Sequence, residues 1–536
     1  MKKIILTIIL VVVMFMFNYN ELNAENRFNM SYLYFGRPNS YLDSINETKN
    51  GVNTVSPNYI DINSNGEIVT KNIDPIFINK VHSKGIKVVP FISNHWNKNA
   101  GELALENRQI RAIEIANIVS KYNLDGVHID IEGLNEHSRD SFTDFVRLIR
   151  DKIPSNKEVS VAVAANPKNW TIGWHGMYDY NSLVRYSDYI MIMAYDESYE
   201  GGKPGPVASI SFIEKSIEYA INNQVPPNKI VLGIPFYGRI WNKNDITTNK
   251  DDNKILGRGV SLKNVNSLLS FYNATTVYDI EKKSMKGIFK INNYDIKKNL
   301  YSWGVPLTSG DYEIWYENDY SIKEKLRLVN KYNLKGTASW SLGQENKTIW
   351  DYYTKWLNGD YFIDINNHWA KDDILTIYNK NWMLGMSSTE FMPDINLTRA
   401  QAAVTLVRAL NLNIETNTSY FIDLPYTHWA KKEIEAAYQY NLIKGKGNRK
   451  FYPNEVITRE EMAQMLYNIL QSKLPTKNSK ISFIDITKND WAYEAIEKVS
   501  SNNIFKGFSN NTFRPKDKVT RAQMASLLSR CSKYLN

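Results

Sequence analysis

Residues 125–132 read DGVHIDIE, a run in which polar and β-branched side chains alternate. Successive side chains of a strand point to opposite faces, so His128, Asp130 and Glu132 share one face. The other face carries only β-branched residues: Val127, Ile129 and Ile131. The Cα atoms of two acids at this spacing lie about 6–7 Å apart. Like charges that close raise the pKa of one carboxyl, which keeps a proton available for acid catalysis at neutral pH.

Short β-rich runs alternate with helix-length segments through the first two thirds of the chain. The eight runs are 30–36, 53–60, 87–93, 124–132, 159–165, 189–196, 230–238 and 336–343. Eight strands with helical returns predict an α/β fold, a (β/α)8 TIM barrel. The interval 239–335 is too long for one helix and contains strand-like pieces such as KGIFKI and DYEIWYEN. It predicts a small α+β insertion between strands seven and eight that walls one side of a cleft.

Polar and aromatic residues stand at the ends of several predicted strands, where TIM barrels carry their chemistry. Besides the octet, these residues are Tyr195, Asp196, Tyr237 and Trp340. Acids and aromatic rings on one rim suit a glycosidase cleft. From the residues alone, Asp130 and Glu132 can also be solvated acids at a strand end. A divalent metal site is a further alternative, although neither EF-hand spacing nor a third carboxylate on this face favours it.

The last third of the chain repeats one pattern three times. The copies open with FIDINNHWAKDDI at 362, FIDLPYTHWAKKEI at 421 and FIDITKNDWAYEAI at 483. After a glycine turn, each copy reaches a threonine where a helix N-cap is wanted: Thr398, Thr458 and Thr520. Two amphipathic helices cannot bury their own apolar stripe, so the pattern predicts an all-α three-fold repeat domain. We expect the indoles that begin the first helices, Trp369, Trp429 and Trp491, to face the shared core.

The N-terminus has the pattern of an export signal. Lys2 and Lys3 precede an apolar run at 4–17, which is shorter than the roughly 20 residues that span a bilayer. We predict a signal peptide at 1–24, with an uncleaved membrane anchor as the alternative. One cysteine, Cys531, excludes an intrachain disulfide, and its neighbours predict a terminal helix in which the thiol packs. The net charge is +9, but the basic residues form no run, which argues against nucleic-acid binding. A positive net charge suits attraction to an acidic wall polymer.

The motifs of the first two thirds resemble one enzyme family. DGVHIDIE resembles the DGxxDxDxE-type signature of glycoside hydrolase family 18, and MAYD and GTASWSLG resemble the family's two other landmarks, in the same order. DESYEGGKPGPVAS and VLGIPFYGRIW are similar to the bacterial branch of spore cortex-lytic and cortical fragment-lytic N-acetylglucosaminidases, the YaaH-like group. The resemblance implies a family 18 barrel over residues 25–358.

This resemblance implies substrate-assisted retaining catalysis, for which family 18 is an exception among two-carboxylate enzymes. Glu132 is the implied acid and base, Asp130 the group that holds the substrate's acetamido N–H, and Tyr195 the donor to its carbonyl. The implied substrate contacts are Asp196, Trp340, His128 and Tyr237. No metal or organic cofactor is implied. Many family members carry an aspartate at position 128; the histidine here can donate a hydrogen bond to Asp130, lower its pKa, or be a satisfied core residue.

The repeats resemble S-layer homology modules, with expected bounds 361–413, 420–473 and 481–536. The resemblance implies a wall anchor that binds pyruvylated secondary cell-wall polysaccharide. A guanidinium fork suits a planar carboxylate, so the implied contacts to the ketal are Arg399, Arg459 and Arg521. Asp490 replaces the histidine of the other two repeats, and Met386 stands where a polar residue is more usual. We therefore expect one groove to be degenerate.

Together these patterns predict an exported glycosidase, anchored in the wall of a Gram-positive-type bacterium. It would cleave β-1,4 linkages of N-acetylglucosamine-containing polymers as a monomer without nucleic-acid partners. Peptidoglycan is favoured. Chitin oligomers stay open, because four tryptophans are candidates for a stacking track or for core packing: Trp170, Trp174, Trp241 and Trp315. The alternatives are a catalytically silent barrel acting as a surface lectin and an S-layer-associated protein.

Overall fold

The computed structural model describes residues 26–245, 255–294, 301–302, 305–387, 389–415, 419–475 and 482–535. The predicted signal peptide, and the membrane anchor that is its alternative, lie outside these ranges. The chain forms two compact units that divide after Asn358. Within the described ranges, no helix is both long and apolar enough to cross a membrane.

Eight parallel strands close into a barrel in the first unit, which confirms the predicted TIM fold. They are β1 (Phe28–Leu33), β2 (Thr54–Ile62), β3 (Phe91–Ser93), β4 (Gly126–Asp130), β5 (Glu158–Ala164), β6 (Tyr189–Met193), β7 (Ile230–Pro235) and β8 (Gly336–Trp340). Each strand pairs with the next, and β1 pairs with both β2 and β8, so this sheet closes on itself. The C-terminal ends of all eight strands therefore meet at one rim.

Helices surround this barrel and cover its outer face. The α-helices of the first unit are Pro38–Glu47, Pro75–His82, Lys98–Glu106, Arg108–Lys121, Arg139–Lys152, Gly173–Gly176, Tyr180–Tyr186, Ile210–Asn222, Leu262–Phe271, Asp319–Lys331 and Tyr353–Leu357. Two short strands, Ile68–Thr70 and Lys87–Val88, flank β2. The third predicted strand, 87–93, is split because Pro90 cannot donate to the ladder.

The core of this unit has an inner and an outer layer, as the alternation in the octet predicts. Residues such as Tyr32, Phe91 and Met191 fill the barrel interior. The outer layer lies between strands and helices and includes Val127, Ile129 and Ile131, all fully buried. His128 and Asp130 therefore point inward, which places the polar face of the octet inside the barrel.

In its described residues, the insertion forms a five-stranded antiparallel sheet and one α-helix. Its strands, in spatial order, are Leu256–Ser261, Tyr237–Asn242, Gly310–Tyr316, Ser284–Ile291 and Thr275–Asp279, and a two-stranded ribbon joins Tyr301–Ser302 to Val305–Pro306. The expected bounds, 239–335, need correction at both ends. Tyr237 already pairs with Ser261, and the helix Asp319–Lys331 packs on the barrel as its last return.

The part of the second unit that the structure describes contains six α-helices in a cyclic arrangement. They are Lys371–Asn379, Arg399–Ala409, Lys431–Gln439, Arg459–Leu470, Tyr493–Ser501 and Arg521–Leu535. The second helix of each repeat packs on the first helix of the next repeat, and the third repeat returns to the first. The backbones of Leu397, Ile457 and Val519 are hydrogen-bonded to one another in a closed triangle, at 2.8–3.1 Å. The three repeats therefore form one ring, as the inability of a single repeat to bury its stripe predicts.

Two sequence predictions about the repeats have different outcomes. Thr398, Thr458 and Thr520 each accept a hydrogen bond from the backbone three residues on, which confirms the N-caps. The expectation that the three indoles face the core is wrong, since Trp369, Trp429 and Trp491 are 64%, 60% and 58% exposed. These indoles stay exposed because the contacts that close the ring are made between helices, whereas each indole lies before the first helix of its repeat. Cys531 is buried in the terminal helix, as predicted.

Candidate active site

Glu132 lies two residues after the end of β4, at the C-terminal rim of the barrel, and is half-buried. The Asn94 side chain clamps its backbone: the Glu132 N–H donates to Oδ1 at 2.9 Å, and Nδ2 donates to the Glu132 carbonyl at 2.7 Å. The Tyr178 hydroxyl donates to the carbonyl of Ile131 at 2.9 Å. These bonds hold the acid in one position. Neither partner was predicted from the sequence, although Asn94 is a polar residue at the end of β3.

The environment of Glu132 favours its protonated form. Burial raises its pKa well above the usual value, and the nearby charges of Asp130 and Asp196 raise it further, whereas a hydrogen bond from the Trp96 side chain acts in the opposite direction. A carboxyl that keeps its proton at neutral pH can act as a general acid.

Asp130 is the last residue of β4 and is 5% exposed. Its Oδ1 atom is buried and has no hydrogen-bond partner within the described part of the chain. Burial raises the pKa of Asp130 to about 7, although the nearby His95 lowers it. The Asp130–Glu132 pair is thus a coupled acid pair that holds a proton near neutral pH. Asp125, earlier in the octet, instead accepts from the Val88 N–H at 2.8 Å and tethers the strand turn.

His128 lies in the barrel interior and is fully buried. Its Nε2 is 2.7 Å from the Tyr32 hydroxyl, and its Nδ1 is 2.8 Å from the Ser160 hydroxyl. Both ring nitrogens therefore have partners other than Asp130, so His128 does not donate the hydrogen bond to Asp130 that was one of its expected roles. Burial lowers the pKa of His128 to about 3, so the ring is neutral at pH 7. It is a hydrogen-bonded core residue beneath the acids rather than a substrate contact.

Tyr195 and Asp196 follow β6 and reach the same rim. Tyr195 is half-buried, and burial raises its pKa, so its hydroxyl stays protonated and able to donate. Gly233 on β7 makes room for it, because a Cβ there would lie 2.8 Å from the Tyr195 ring. Asp196 has a positive φ of 57°, in the left-handed region.

The carboxylate of Asp196 is held by the insertion. The Tyr237 hydroxyl donates to Oδ1 at 2.5 Å, and the Arg239 guanidinium donates to Oδ1 and Oδ2 at 2.9 and 2.7 Å. Arg239 is 5% exposed and also donates to the Gly257 carbonyl at 2.6 Å. Tyr237 was predicted to contact substrate, but its hydroxyl serves Asp196. No role was predicted for Arg239 from the sequence. Its charge within the otherwise apolar and aromatic stretch FYGRIW indicates a buried ionic partner and could have identified it.

Trp340 ends β8 and is half-buried. Its ring packs edge-on to Tyr32, with centroids 5.0 Å apart, and lies 5.2 Å from Tyr34. It thereby forms an apolar floor at the rim that also carries Asp130, Glu132 and Tyr195. Across the described residues, no group of three or more His, Cys, Asp or Glu side chains is placed to hold a metal ion.

Residues 17–345 match the family model described as glycosyl hydrolases family 18, which spans more than half of the chain. The chain belongs to this family. It is a glycosidase. The S-layer homology domain matches three times, at 361–403, 423–463 and 482–525, and gives the glycosidase a means of attachment to a bacterial cell surface.

Among similar proteins, the "Uncharacterized glycosylase YvbX" of Bacillus subtilis is 25% identical over 372 residues, which cover 65% of this chain and 98% of that protein. The cortical fragment-lytic enzyme of Bacillus subtilis is 27% identical over 239 residues, which cover 44% of this chain and 51% of that enzyme. The crystal structure of a chitinase from Chromobacterium violaceum superposes with a TM-score of 0.53 and 23% identity, covering 62% of this chain and 99% of that one. The structural likeness shows the shared barrel fold.

The three arginines that were implied to bind wall polymer are buried between repeats, each 4% exposed. Each guanidinium donates to two backbone carbonyls of the next repeat, through Nε and one Nη. The acceptors are Phe451 and Lys444 for Arg399, Phe513 and Lys506 for Arg459, and Phe391 and Leu384 for Arg521. The arginines therefore join the repeats into the ring. The Nη1 atom of Arg399 also donates to Glu461, at 3.3 Å.

Proposed function

We propose that the barrel hydrolyses β-1,4 linkages beside N-acetylated sugars by substrate-assisted retaining catalysis. The observation that carries this proposal is the Oδ1 atom of Asp130, a buried acceptor without a partner in the described residues, two residues before Glu132. A buried acceptor left unpaired is costly, so the site is stabilised by a ligand that brings a donor. The acetamido N–H of an N-acetyl sugar is such a donor.

In this mechanism Glu132 protonates the glycosidic oxygen while the substrate's acetamido oxygen attacks the anomeric carbon. The C–O bond to the leaving group breaks and an oxazolinium ion forms. Asp130 accepts the acetamido N–H, and its negative charge favours the cationic intermediate. Glu132, now a carboxylate, takes a proton from water, which opens the ring with net retention. The Asn94 clamp suits this double role because it holds one carboxyl in place for both steps.

Two further residues orient the sugar, and a third affects the pKa of Glu132. The protonated hydroxyl of Tyr195 donates to the acetamido carbonyl. Trp340 supports the apolar face of the ring that carries the acetamido group. Asp196 is fixed by Tyr237 and Arg239, and its fixed charge raises the pKa of Glu132. This favours an electrostatic role for Asp196.

The mechanism requires an N-acetyl group on the sugar whose anomeric carbon is attacked, which excludes cellulose and starch. Peptidoglycan is the favoured polymer, because the repeats attach the enzyme to a cell surface and one relative is named a cortical fragment-lytic enzyme. Chitin oligomers are the second candidate, supported by the likeness to a chitinase fold. We also propose export through the signal peptide at 1–24, and attachment of a monomer to secondary wall polysaccharide through residues 361–536.

The test is digestion of purified peptidoglycan, spore cortex and chitin, with mass analysis of the new reducing ends. Release of N-acetylglucosamine reducing ends from peptidoglycan supports the preferred substrate. Glu132→Gln keeps the shape of the side chain but removes the titratable proton, so hydrolysis should fall by at least about 1,000-fold while binding to wall material remains. Undiminished cleavage by Glu132→Gln would disprove the acid assignment.

A further inference from the structure

The role proposed for Asp130 requires its ionised form, because only a carboxylate accepts the acetamido N–H and balances a positive charge. Burial raises the pKa of Asp130 to about 7, so a large share of this carboxyl is protonated near neutral pH. His128, two positions earlier on the same face, is neutral at pH 7 and has other partners for both ring nitrogens. A positive charge that favours the Asp130 carboxylate would have to come from another element.

The rim next to Asp130 carries a second buried carboxyl group at the same level. Asp61 on β2 pairs with Ser93 on β3, and Ser93 pairs with Asp130 on β4. Residues paired in this way in a parallel sheet point to the same face, and neighbouring strands lie about 4.8 Å apart. Asp61 and Ser93 are 4% and 5% exposed. The three side chains therefore face the barrel interior side by side on three adjacent strands.

His95 is held at this level of the rim, two residues after Ser93. Its Nε2 atom is 2.9 Å from Oδ1 of Asp61, and its backbone N–H donates to the Ser93 hydroxyl at 3.0 Å. His95 has a φ of 46°, in the left-handed region, so the chain turns sharply where β3 ends. Its Nδ1 atom has no hydrogen-bond partner in the part of the chain that the structure describes. The imidazole is thus fixed through one nitrogen and keeps the other for a further partner.

The charges around His95 separate its anchor from the group that it affects. Burial alone would raise the pKa of Asp61, but hydrogen bonds from His95 and from Lys71 lower it below its usual value. Asp61 is therefore an ionised anchor with two basic partners. Asp130, on the neighbouring strand, has His95 as the group that opposes the effect of burial on its pKa. The titratable and charged groups at this part of the rim are Tyr34 after β1, Asp61 on β2, Lys71 after the strand Ile68–Thr70, and Asp130 and Glu132 at the end of β4.

We propose that His95, anchored on Asp61, is a positioning residue whose positive charge keeps the Asp130 carboxylate ionised for the acetamido N–H. This rests on the proposed function, since Asp130 needs the charge only if it receives such a donor. An opposite charge near a carboxyl favours its ionised form, and the effect is larger at a mostly buried rim than in water. Because Asp61 accepts from Nε2, the protonated ring still has its Nδ1–H available on the inner rim.

The test follows kcat/KM against pH with the 4-methylumbelliferyl glycoside of diacetylchitobiose as substrate. His95→Gln keeps an amide that can donate to Asp61 but removes the charge, so more of Asp130 is protonated at a given pH. The acid limb of the profile should therefore move to higher pH by about half to one pH unit. Below that limb kcat/KM should fall by about 3- to 10-fold, whereas the plateau at higher pH should be close to that of the wild type. His95→Lys carries a permanent charge and should return the limb toward its wild-type position.

A matched pair at the other end of β4 controls for a purely structural effect. The Nε2 atom of His82 is 2.7 Å from Oδ2 of Asp125, the residue that precedes this strand. His82→Gln makes the same change in the same kind of pair. It should lower the unfolding temperature about as much as His95→Gln does, but leave the acid limb in place. An unmoved acid limb in His95→Gln, or an equal movement in His82→Gln, overturns the proposal.

Failure of the proposed function gives a different result. If the wild type hydrolyses no N-acetyl glycoside, the titration of Asp130 is measured directly by NMR. The aspartate carboxyl carbons of the full chain are labelled with an NMR-active isotope, and the Asp130 signal is the one lost in Asp130→Asn. A titration that moves to higher pH in His95→Gln supports the link between His95 and Asp130, although the catalytic proposal has failed. An unchanged titration overturns the link itself.

Discussion

The clamp on Glu132 offers the sharpest test of how this barrel positions its acid. Asn94 is 1% exposed and makes three hydrogen bonds, two to the backbone of Glu132 and one to the Asn97 carbonyl. Asn94→Ala removes both bonds to Glu132 without touching the carboxyl. Two lost hydrogen bonds in a largely buried place cost about 2–3 kcal/mol. If this free energy is lost from the positioning of Glu132 in the transition state, kcat falls by about 30- to 150-fold.

The assay is steady-state hydrolysis of the 4-methylumbelliferyl glycoside of diacetylchitobiose, together with thermal unfolding of each variant. Asn94→Ala should lower kcat with little change in KM, because the substrate-binding surface at Trp340 is untouched. Asn94→Asp keeps the acceptor for the Glu132 N–H and adds a charge close to Glu132. A like charge raises the pKa of Glu132, so the basic limb of the pH–rate profile should move to higher pH.

A matched amide exists at the opposite face of the barrel. Asn53 accepts from the Asn29 N–H at 3.0 Å and donates to the Arg27 carbonyl at 3.3 Å, so it clamps backbone far from the catalytic rim. Asn53→Ala should lower the unfolding temperature in a similar way but leave kcat intact. If Asn94→Ala reduces kcat no more than Asn53→Ala does, the clamp has only a structural role and the reasoning is refuted.

Three other predictions concern His128 and the repeats. Because the folded pKa of His128 is about 3 and the unfolded value about 6.5, its neutral burial stabilises the fold fully above about pH 6.5, and that stability is lost as pH falls toward 3. His128→Asn should therefore lose less stability than the wild type between pH 7 and pH 4 in urea titrations, and parallel losses would show that His128 is not buried neutral. Deletion of residues 361–536 should abolish retention on purified walls without lowering activity on soluble oligomers; retained binding would contradict the anchor. Arg459→Met leaves two carbonyls of the next repeat without donors, so the repeat unit should lose about 2–4 kcal/mol of unfolding free energy while the barrel stays active. Intact stability with lost wall binding would instead show that Arg459 contacts the polymer directly.

The pattern of the chain was enough to predict the parts that depend on local periodicity. The alternation in 125–132 placed three β-branched residues in the outer layer and the polar face inside the barrel. The three threonine caps followed from the same local rules, because an N-cap bonds a backbone N–H only three residues away. The bounds of the insertion were harder to predict, since β-rich sequence does not say which sheet it joins. Tyr237 leaves the barrel because its pairing partner, Ser261, lies in the insertion.

Residue types by themselves did not show which charges are available to a ligand. Arg399, Arg459 and Arg521 read as surface cations, yet packing of the next repeat supplies carbonyls that bury them. The position of Trp369, Trp429 and Trp491 at the start of the first helices suggested that they face a core, yet they are exposed in the ring.

The sequence by itself predicted the barrel fold, the repeat count and the shared face of Asp130 and Glu132, because these follow from the periods of side chains along the segments of the chain. Only the tertiary structure decided how that pair is held and tuned. Asn94 reaches Glu132 across 38 positions and Arg239 reaches Asp196 across 43. Contacts between residues so far apart in the chain arise when the barrel closes, and burial then sets the pKa of each acid.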